Sequence, residues 1–391
     1  MKVIYILNST LLYSGATKAF MNLISGLKEC GVSPIVILPD KCGIFNSIIR
    51  MGIPVYVINH RMNTYPYSRT NNERVLFFPR LILRVIINVI AIFRLFWIVR
   101  KQKADIIHTN IGVDVIGYIV SRILSIPHIY HIREHADLLG MNYFPYKKAF
   151  ISQLNNDNSY SICVTRSIQR HYNQTDNDNS IVIYDGILNK NQSLQCVRKE
   201  NYFLFAGRVE AIKGLEFLID SYIEYCKKTD VIYPLYICGL IRNDAFFDTI
   251  TKKIKYERID KFVFFLGERE DIYEIMKKAT AIVICSPEEG FGLCMAEAMF
   301  YGCLVIGRDT SGTKEQMDNG KNICENEIAI RFNTRQELSE KLLELTTEPT
   351  KYEEYVKRAF DVVNKLYTVE TCTRNVLGFY NHILSINSSF G

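Results

Sequence analysis

Two glutamates eight residues apart, with glycines between them, set the first chemical question. The stretch CSPEEGFGLCMAEAMFYGCLVIG (285–307) reads as strand, turn and helix. Pro287 ends the strand, Glu288 and Glu289 follow, and Gly290 and Gly292 flank Phe291. The glycines bare the amides of Phe291 to Leu293 at a helix N-terminus, where roughly half a positive charge and free N–H donors suit a phosphate. Glu297 lies about a turn and a half inside that helix. Its neighbours Met295, Ala296, Ala298 and Met299 look buried, so its carboxylate needs a hydroxyl or a cation. A capping role explains Glu289 less fully, and Glu288 reads as solvated.

Three further clusters sit where a strand should end. AGRVEAIKG (206–214) sets Arg208 and Lys213 between glycines, a planar fork and a mobile point charge that can converge on one anion. HIYHIREH (128–135) concentrates His131, Arg133, Glu134 and His135; alternation puts His131, Arg133 and His135 on one side if the strand runs that far. NSTLLYSGATKAF (8–20) opens a helix at Ser14 and Gly15, which can accept an anion or can be an ordinary turn.

The elements that must hold these clusters alternate. KVIYIL, SPIVILP, PVYVI, ADIIHTN and PHIYHI are short apolar runs separated by helical stretches near 16–30, 75–99 and 112–125. Continuous Val/Ile runs of this length are what buried parallel strands show, and helices between them imply right-handed crossovers. The alternation restarts at YFLFAG and continues through YPLYICG, FVFFLG, AIVICSP and CLVIG, with helices near 213–228, 244–258, 270–278 and 292–301. The reading is therefore α/β with two doubly wound halves: 1–187, a polar linker over 188–200, and 201–365. A C-terminal helix over 366–391 can cross back to the first half.

At 391 residues the chain is too long for one compact core. Hydrophobic residues at 48% and charged residues at 23% exclude a disordered chain, and a net charge of +6 suits anionic ligands but not a nucleic-acid partner. Eleven cysteines without a Cys-x-x-Cys pair, in a chain whose Met1 leads straight into a strand, point to free thiols in the cytoplasm. Histidines show no metal spacing, and the chain is read as having no obvious Asp-x-Asp metal motif. The apolar stretch 75–99 is broken by Arg80, Arg84 and Arg94, so its longest uncharged run is nine residues, against roughly 20 for a bilayer span. It is either a buried core helix or a basic amphipathic helix on anionic lipid, with Phe93, Phe96 and Trp97 in the interface.

With these motifs in place, the chain resembles retaining glycosyltransferases of the glycogen-synthase-like family 4. GRVEAIKG is similar to that family's G-R-x-x-x-x-K-G element and EGFGLCMAE to its E-x7-E motif; SGATKAF, SGTKE (311–315) and IVIYDGI resemble its G-G-A-E, G-G-x-x-E and V-I-x-N-G-V segments. The resemblance runs nearly end to end and implies the GT-B fold, two Rossmann-like domains facing across a cleft. It implies that Arg208 and Lys213 bind the diphosphate of a UDP- or GDP-linked sugar, helped by amides near Gly292 and Leu293. Glu297 would bond the ribose, Glu289 and Phe291 would face the sugar beside Gly290, and Gly15 would lie near the donor phosphate. Glu289, Arg208, Lys213 and His131 are then the catalytic candidates, with Arg133, Glu134 and His135 on the acceptor side; His131, Arg133 and His135 compete for the acceptor-facing histidine position. Ser14, Thr17, Asp185 and Ser311 depart from the family pattern.

The expected reaction is metal-independent sugar transfer, with retention, to a glycan or lipid-linked acceptor, as in bacterial surface polysaccharide assembly. No cofactor is expected; the nucleotide sugar is a co-substrate. The expected place is the cytoplasm, peripheral at the inner membrane face through 75–99. An epimerase, a phosphorylase or a noncatalytic nucleotide-sugar binder are the rival readings.

Overall fold

The computed structural model describes residues 1–11, 14–66, 75–189, 194 and 197–388. Two compact units emerge: Met1–Ile187 with Val369–Gly391, and Leu188–Thr368. Each is built on one parallel sheet.

In the first unit the strands are β1 (Lys2–Leu7), β2 (Ser33–Leu38), β3 (Val55–Val57), β5 (Ile106–Asn110), β6 (His128–Ile132), β8 (Ser159–Cys163) and β9 (Ser180–Val182). They pair in the order β3-β2-β1-β5-β6-β8-β9. Residues 3–7 of β1 and all of β5 and β6 are buried, because helices cover both faces of the sheet; β5 and β6 carry His108, Thr109, Asn110, His128 and His131 into that interior. A small antiparallel pair, β4 (Thr64–Pro66) with β7 (Met141–Tyr143), lies outside the sheet.

The second unit contains β10 (Glu200–Ala206), β11 (Leu235–Cys238), β12 (Val263–Gly267), β13 (Ala279–Ile284), β14 (Leu304–Arg308) and β15 (Ile330–Phe332), in the order β12-β11-β10-β13-β14-β15. Strand order runs outwards in both directions from the β10/β13 pair, so a crevice opens between the loops that follow these two strands. Open parallel sheets bind ligands at such a point. The equivalent point in the first unit is the β1/β5 pair.

The C-terminal region is helical in two pieces, Glu353–Leu366 and Val369–Ser388, rather than one continuous stretch. The break coincides with the passage from the second unit to the first. Cys372, Val376, Phe379, Tyr380 and Ile383 of the last helix complete the apolar core around β1 and the helix Gly15–Glu29. Most of the stretch 188–200, read as a linker, lies outside the described residues. Leu188 bridges to Thr368, and Lys199 Nζ donates to the carbonyls of Lys277 and Gly302 at 2.8 and 2.7 Å.

The long helix Phe77–Gln102 corrects one expectation. Only Ala91, Leu95 and Val99, spaced four apart, are buried against the sheet. Phe78, Ile82, Ile86, Ile90, Phe93 and Trp97 are exposed, so the reading of this segment as a core helix fails. The sheet offers an apolar partner to one stripe only, and the described residues place no second layer over the other.

Candidate active site

The loops after β10 and β13 start from neighbouring strands, and that adjacency gathers the site of the second unit. After β10 the chain passes Gly207 and Arg208, then makes one 3-10 turn over Ala211–Lys213 and enters the helix Leu215–Cys226 at Gly214. Gly214 has φ +71°, and a Cβ there would lie 2.1 Å from the carbonyl oxygen of Cys285. Only glycine lets the two loops approach this closely.

After β13, Gly292 takes φ +88° and serves as N-cap of the helix Leu293–Phe300, which carries no acidic residue in its first turn. The helix end is therefore left open to an anion. Lys213 Nζ donates to Glu289 Oε1 at 2.6 Å, joining the two loops by an ion pair whose members are about four-fifths buried. The Arg208 guanidinium is 41% exposed and sits 3.6 Å from Glu210, a weak contact that leaves it available.

Glu297 is half-buried, and Tyr273 donates its hydroxyl to Glu297 Oε1 at 3.1 Å. Cys294 Sγ donates to the Ala206 carbonyl at 3.4 Å, tying the first turn of the helix to the end of β10. Burial first, then the charges of Glu297 and Glu289, push the Cys294 thiol well above its ordinary range, so it stays a protonated donor.

A third loop supports these two. SGTKE forms the first turn of the helix Ser311–Cys324, next to β14. Gly312 N donates to Glu289 O at 3.0 Å, and Gln316 Nε2 donates to the carbonyls of Phe291 and Gly292 at 2.5 and 3.1 Å. The Glu288 carboxylate accepts from Ser311 Oγ, which replaces the reading of Glu288 as merely solvated. Ser311 holds φ +44°, where the resemblance expects glycine. Phe291 also departs from expectation. Its ring is buried, edge-on to Tyr367 with centroids 5.1 Å apart, so the ring packs in the core and does not face a sugar. Between two glycines, the turn is free to send it inwards.

In the first unit, β6 stops at Ile132, so alternation does not extend to His135. Arg133 bonds Asp185 and donates its Nε to Asn110 Oδ1 at 3.1 Å, with its NH2 3.4 Å from His131 Nδ1. His131 has no exposed surface. The catalytic role expected of it gives way to a buried chain: His131 Nδ1 to His108 Nε2 at 3.2 Å, His108 Nδ1 to the Tyr380 hydroxyl at 2.6 Å, and that hydroxyl to Tyr5 at 3.1 Å. His135 goes elsewhere, its Nε2 3.4 Å from Ser167 Oγ and its ring edge-on to His171. Glu134 is half-buried, and its carbonyl accepts from Tyr172. Gly15 begins its helix after Ser14, which makes no side-chain cap; Leu12 and Tyr13 of that loop lie outside the described residues.

One Asp-x-Asp string does occur, Asp176-Asn177-Asp178, but it lies in the exposed turn before β9, at the opposite end of that strand from a ligand-binding loop. Sequence reasoning missed Tyr273, Cys294 and Gln316. Tyr273 and Gln316 belong to no quoted motif, and Cys294 sits inside EGFGLCMAE without a role there; a half-buried glutamate in an apolar helix does signal that some hydroxyl must approach it.

Two parallel sheets with helices between their strands define a chain of two Rossmann-like units, and comparison with known proteins gives its relatives. Residues 188–362 match the family model described as Glycosyl transferases group 1. A glycosyltransferase of Methanocaldococcus jannaschii without assigned function is 26% identical over 260 residues, covering 63% of this chain and 67% of that protein. The O-antigen chain mannosyltransferase RfbU of Salmonella typhimurium is 35% identical over 163 residues, 41% of this chain and 44% of RfbU. Among solved structures, Anabaena HepE in complex with UDP and glucose superposes with a TM-score of 0.75 at 17% identity, covering 98% of this chain and 100% of HepE. The fold is GT-B, with two Rossmann-like units. At family level the second unit, over residues 188–362, is similar to the group 1 glycosyl transferases.

Proposed function

We propose that this chain is a retaining, metal-independent glycosyltransferase of bacterial surface polysaccharide assembly. It moves a sugar from a UDP- or GDP-linked donor to a glycan or lipid-linked acceptor at the inner face of the membrane. The observation that carries the donor reading is the Lys213–Glu289 ion pair joining the loops after β10 and β13, with Arg208 in the first of these loops and Glu297 in the helix that follows the second. HepE, of the same fold, was crystallised with UDP and glucose, and RfbU is an O-antigen enzyme; both support the reading.

In the reaction the bond from anomeric carbon to donor phosphate oxygen breaks, and its electron pair leaves with the nucleoside diphosphate. Arg208, Lys213 and the amides at Gly292 and Leu293 stabilise that charge, as preorganised donors do in a partly dry site. The acceptor hydroxyl bonds the anomeric carbon from the same face, and its proton passes to the departing phosphate oxygen. Glu297 holds the ribose hydroxyls and Glu289 the sugar.

Calorimetry with UDP and GDP tests this. Arg208→Ala and Lys213→Ala should each weaken the preferred nucleotide by about tenfold or more, the worth of a charge-assisted hydrogen bond. If both bind like wild type, the phosphate assignment is wrong. Turnover should survive EDTA, and NMR of the product should show the anomeric configuration of the donor.

A further inference from the structure

Beneath the helix Phe77–Gln102, reaching Val115 at the end of the loop that follows β5, lies a cavity of about 390 Å³. That size suits a small-molecule site. Its walls are the helix, the segment Met62–Pro66 and the start of the helix Ile116–Leu124, and most of the lining is apolar: Tyr65, Phe77, Leu81, Val85, Val89 and Ile119 are representative. The walls are pinned. Asn88 pairs with both backbone groups of Arg61, at 2.8 Å each, and Arg84 donates to the Thr64 carbonyl at 2.6 Å. The space persists although its borders are fixed by hydrogen bonds.

Two features say what belongs there. First, charge: Arg80 and Arg84 line the cavity, and the helix adds Arg94, Arg100 and Lys101 without a single carboxylate along its length. Among the described residues neither Arg80 nor Arg84 has an acidic partner. Burial, then the neighbouring charges of Arg61 and Arg80, pull Arg84 down from its ordinary value, which marks an unbalanced cationic cluster. Second, continuity: Val85 and Val89 line the cavity while 44% and 59% exposed, so it opens onto the outer apolar stripe of Ile82, Ile86 and Ile90. Such a stripe, rimmed by arginines, fits the interfacial layer of an anionic bilayer.

We infer that this cavity takes the hydrocarbon chain of a phosphate-bearing lipid, the anchored acceptor of the transfer reaction, with its phosphate on Arg80 and Arg84. The inference rests on the glycosyltransferase reading and narrows its acceptor to a lipid-linked one. The exposed stripe brings the first unit to the membrane surface, and the cavity draws one chain out of the bilayer. The arginines then hold the headgroup at the cavity mouth.

Farnesyl phosphate, inorganic phosphate and phosphatidylglycerol vesicles separate the cases on the full chain. Calorimetry should find farnesyl phosphate binding one to one, and inorganic phosphate at least a hundredfold weaker. Val89→Trp, which fills the cavity from an exposed helix position, should weaken farnesyl phosphate at least tenfold; so should Arg80→Ala, also at an exposed position. Both variants should bind UDP like wild type. Unchanged affinity in Val89→Trp overturns the proposal, as does inorganic phosphate binding as tightly as the lipid. Partition into vesicles with no one-to-one complex also overturns it and leaves only a membrane-facing helix. Failure of wild type to bind either UDP or GDP would overturn the donor reading instead, while the farnesyl phosphate result still decides this one.

Discussion

Lys213 and Glu289, from loops after two neighbouring strands, hold each other at 2.6 Å in the second unit. One is assigned to the donor phosphate and the other to the donor sugar, so each keeps the other's charge compensated until the donor arrives. Binding a diphosphate must share or replace this contact. Glu289→Ala should therefore leave nucleoside diphosphate affinity intact or raise it by a few fold, because it frees Lys213, while turnover falls by about a hundredfold or more. Lys213→Ala should lose affinity. Calorimetry beside steady-state rates distinguishes the two, and a Glu289→Ala variant that loses UDP and GDP binding but keeps its rate would reverse the roles.

Glu297 and Tyr273 form the second testable contact, at 3.1 Å. If Glu297 holds the ribose, Glu297→Ala should weaken UDP or GDP by about tenfold. It should also erase the preference for the nucleotide over its 2′,3′-dideoxy analogue. Tyr273→Phe removes only the hydroxyl that orients the carboxylate and should cost about 1 kcal/mol, with the preference retained. A Glu297→Ala enzyme that still discriminates the two nucleotides would move the ribose elsewhere.

The two loops of the second unit were legible from sequence because their charged residues and glycines sit in short motifs at strand ends. GRVEAIKG and EGFGLCMAE each carry their cations, carboxylates and turn glycines within about ten residues, and the apolar runs that position them read as buried parallel strands. What joins the loops was not legible. Gln316 and Tyr273 come from other elements, Cys294 reaches across to the other loop's strand, and only the strand order brings them to Gly292, Glu297 and Ala206. The HIREH cluster shows the opposite failure. It looked like a reactive end of a strand, yet the strand ends at Ile132 and the last helix supplies Tyr380 to the same chain of rings, a long-range contact that no local pattern announces. The helix 75–99 posed a third case. Its composition left two readings open, and only the sheet beneath it decides which side chains find cover.

Arg133 and Asp185 explain one departure from the family pattern. Asp185 stands where asparagine is common, and Arg133 follows the end of β6 with its guanidinium against that carboxylate, both side chains about 95% buried. Each needs the other, because a lone buried charge is costly. Asp185→Asn, although it installs the commoner residue, should cost about 3–5 kcal/mol of stability. Adding Arg133→Met should recover most of that loss. Urea unfolding of the two variants checks it, and a stable Asp185→Asn single variant would show that the pair is not coupled.

The buried histidines give the first unit a pH dependence. Burial, reinforced for His108 and His131 by nearby charge including Arg133, holds both well below their ordinary values, and burial alone lowers His128 to about 3. Well above pH 6.5 all three are neutral whether folded or unfolded. Below it the unfolded chain takes up protons that the folded unit refuses, so stability falls as pH falls. Between pH 6.5 and 5.5 each histidine should contribute a loss of about 1 kcal/mol, or about 3 kcal/mol together. His60 has the opposite sign: burial lowers it, but Asp114 at 3.0 Å more than offsets this. Its contribution is complete below pH 6.5 and is lost only as pH rises through its raised value, so it does not blur the window from 6.5 to 5.5. Trp97, the only tryptophan, lies in this unit and reports its unfolding. Urea midpoints followed by Trp97 fluorescence should drop steeply between pH 6.5 and 5.5. His128→Gln should flatten that drop by about a third; a midpoint that stays constant over this range would mean these imidazoles are already charged in the folded unit.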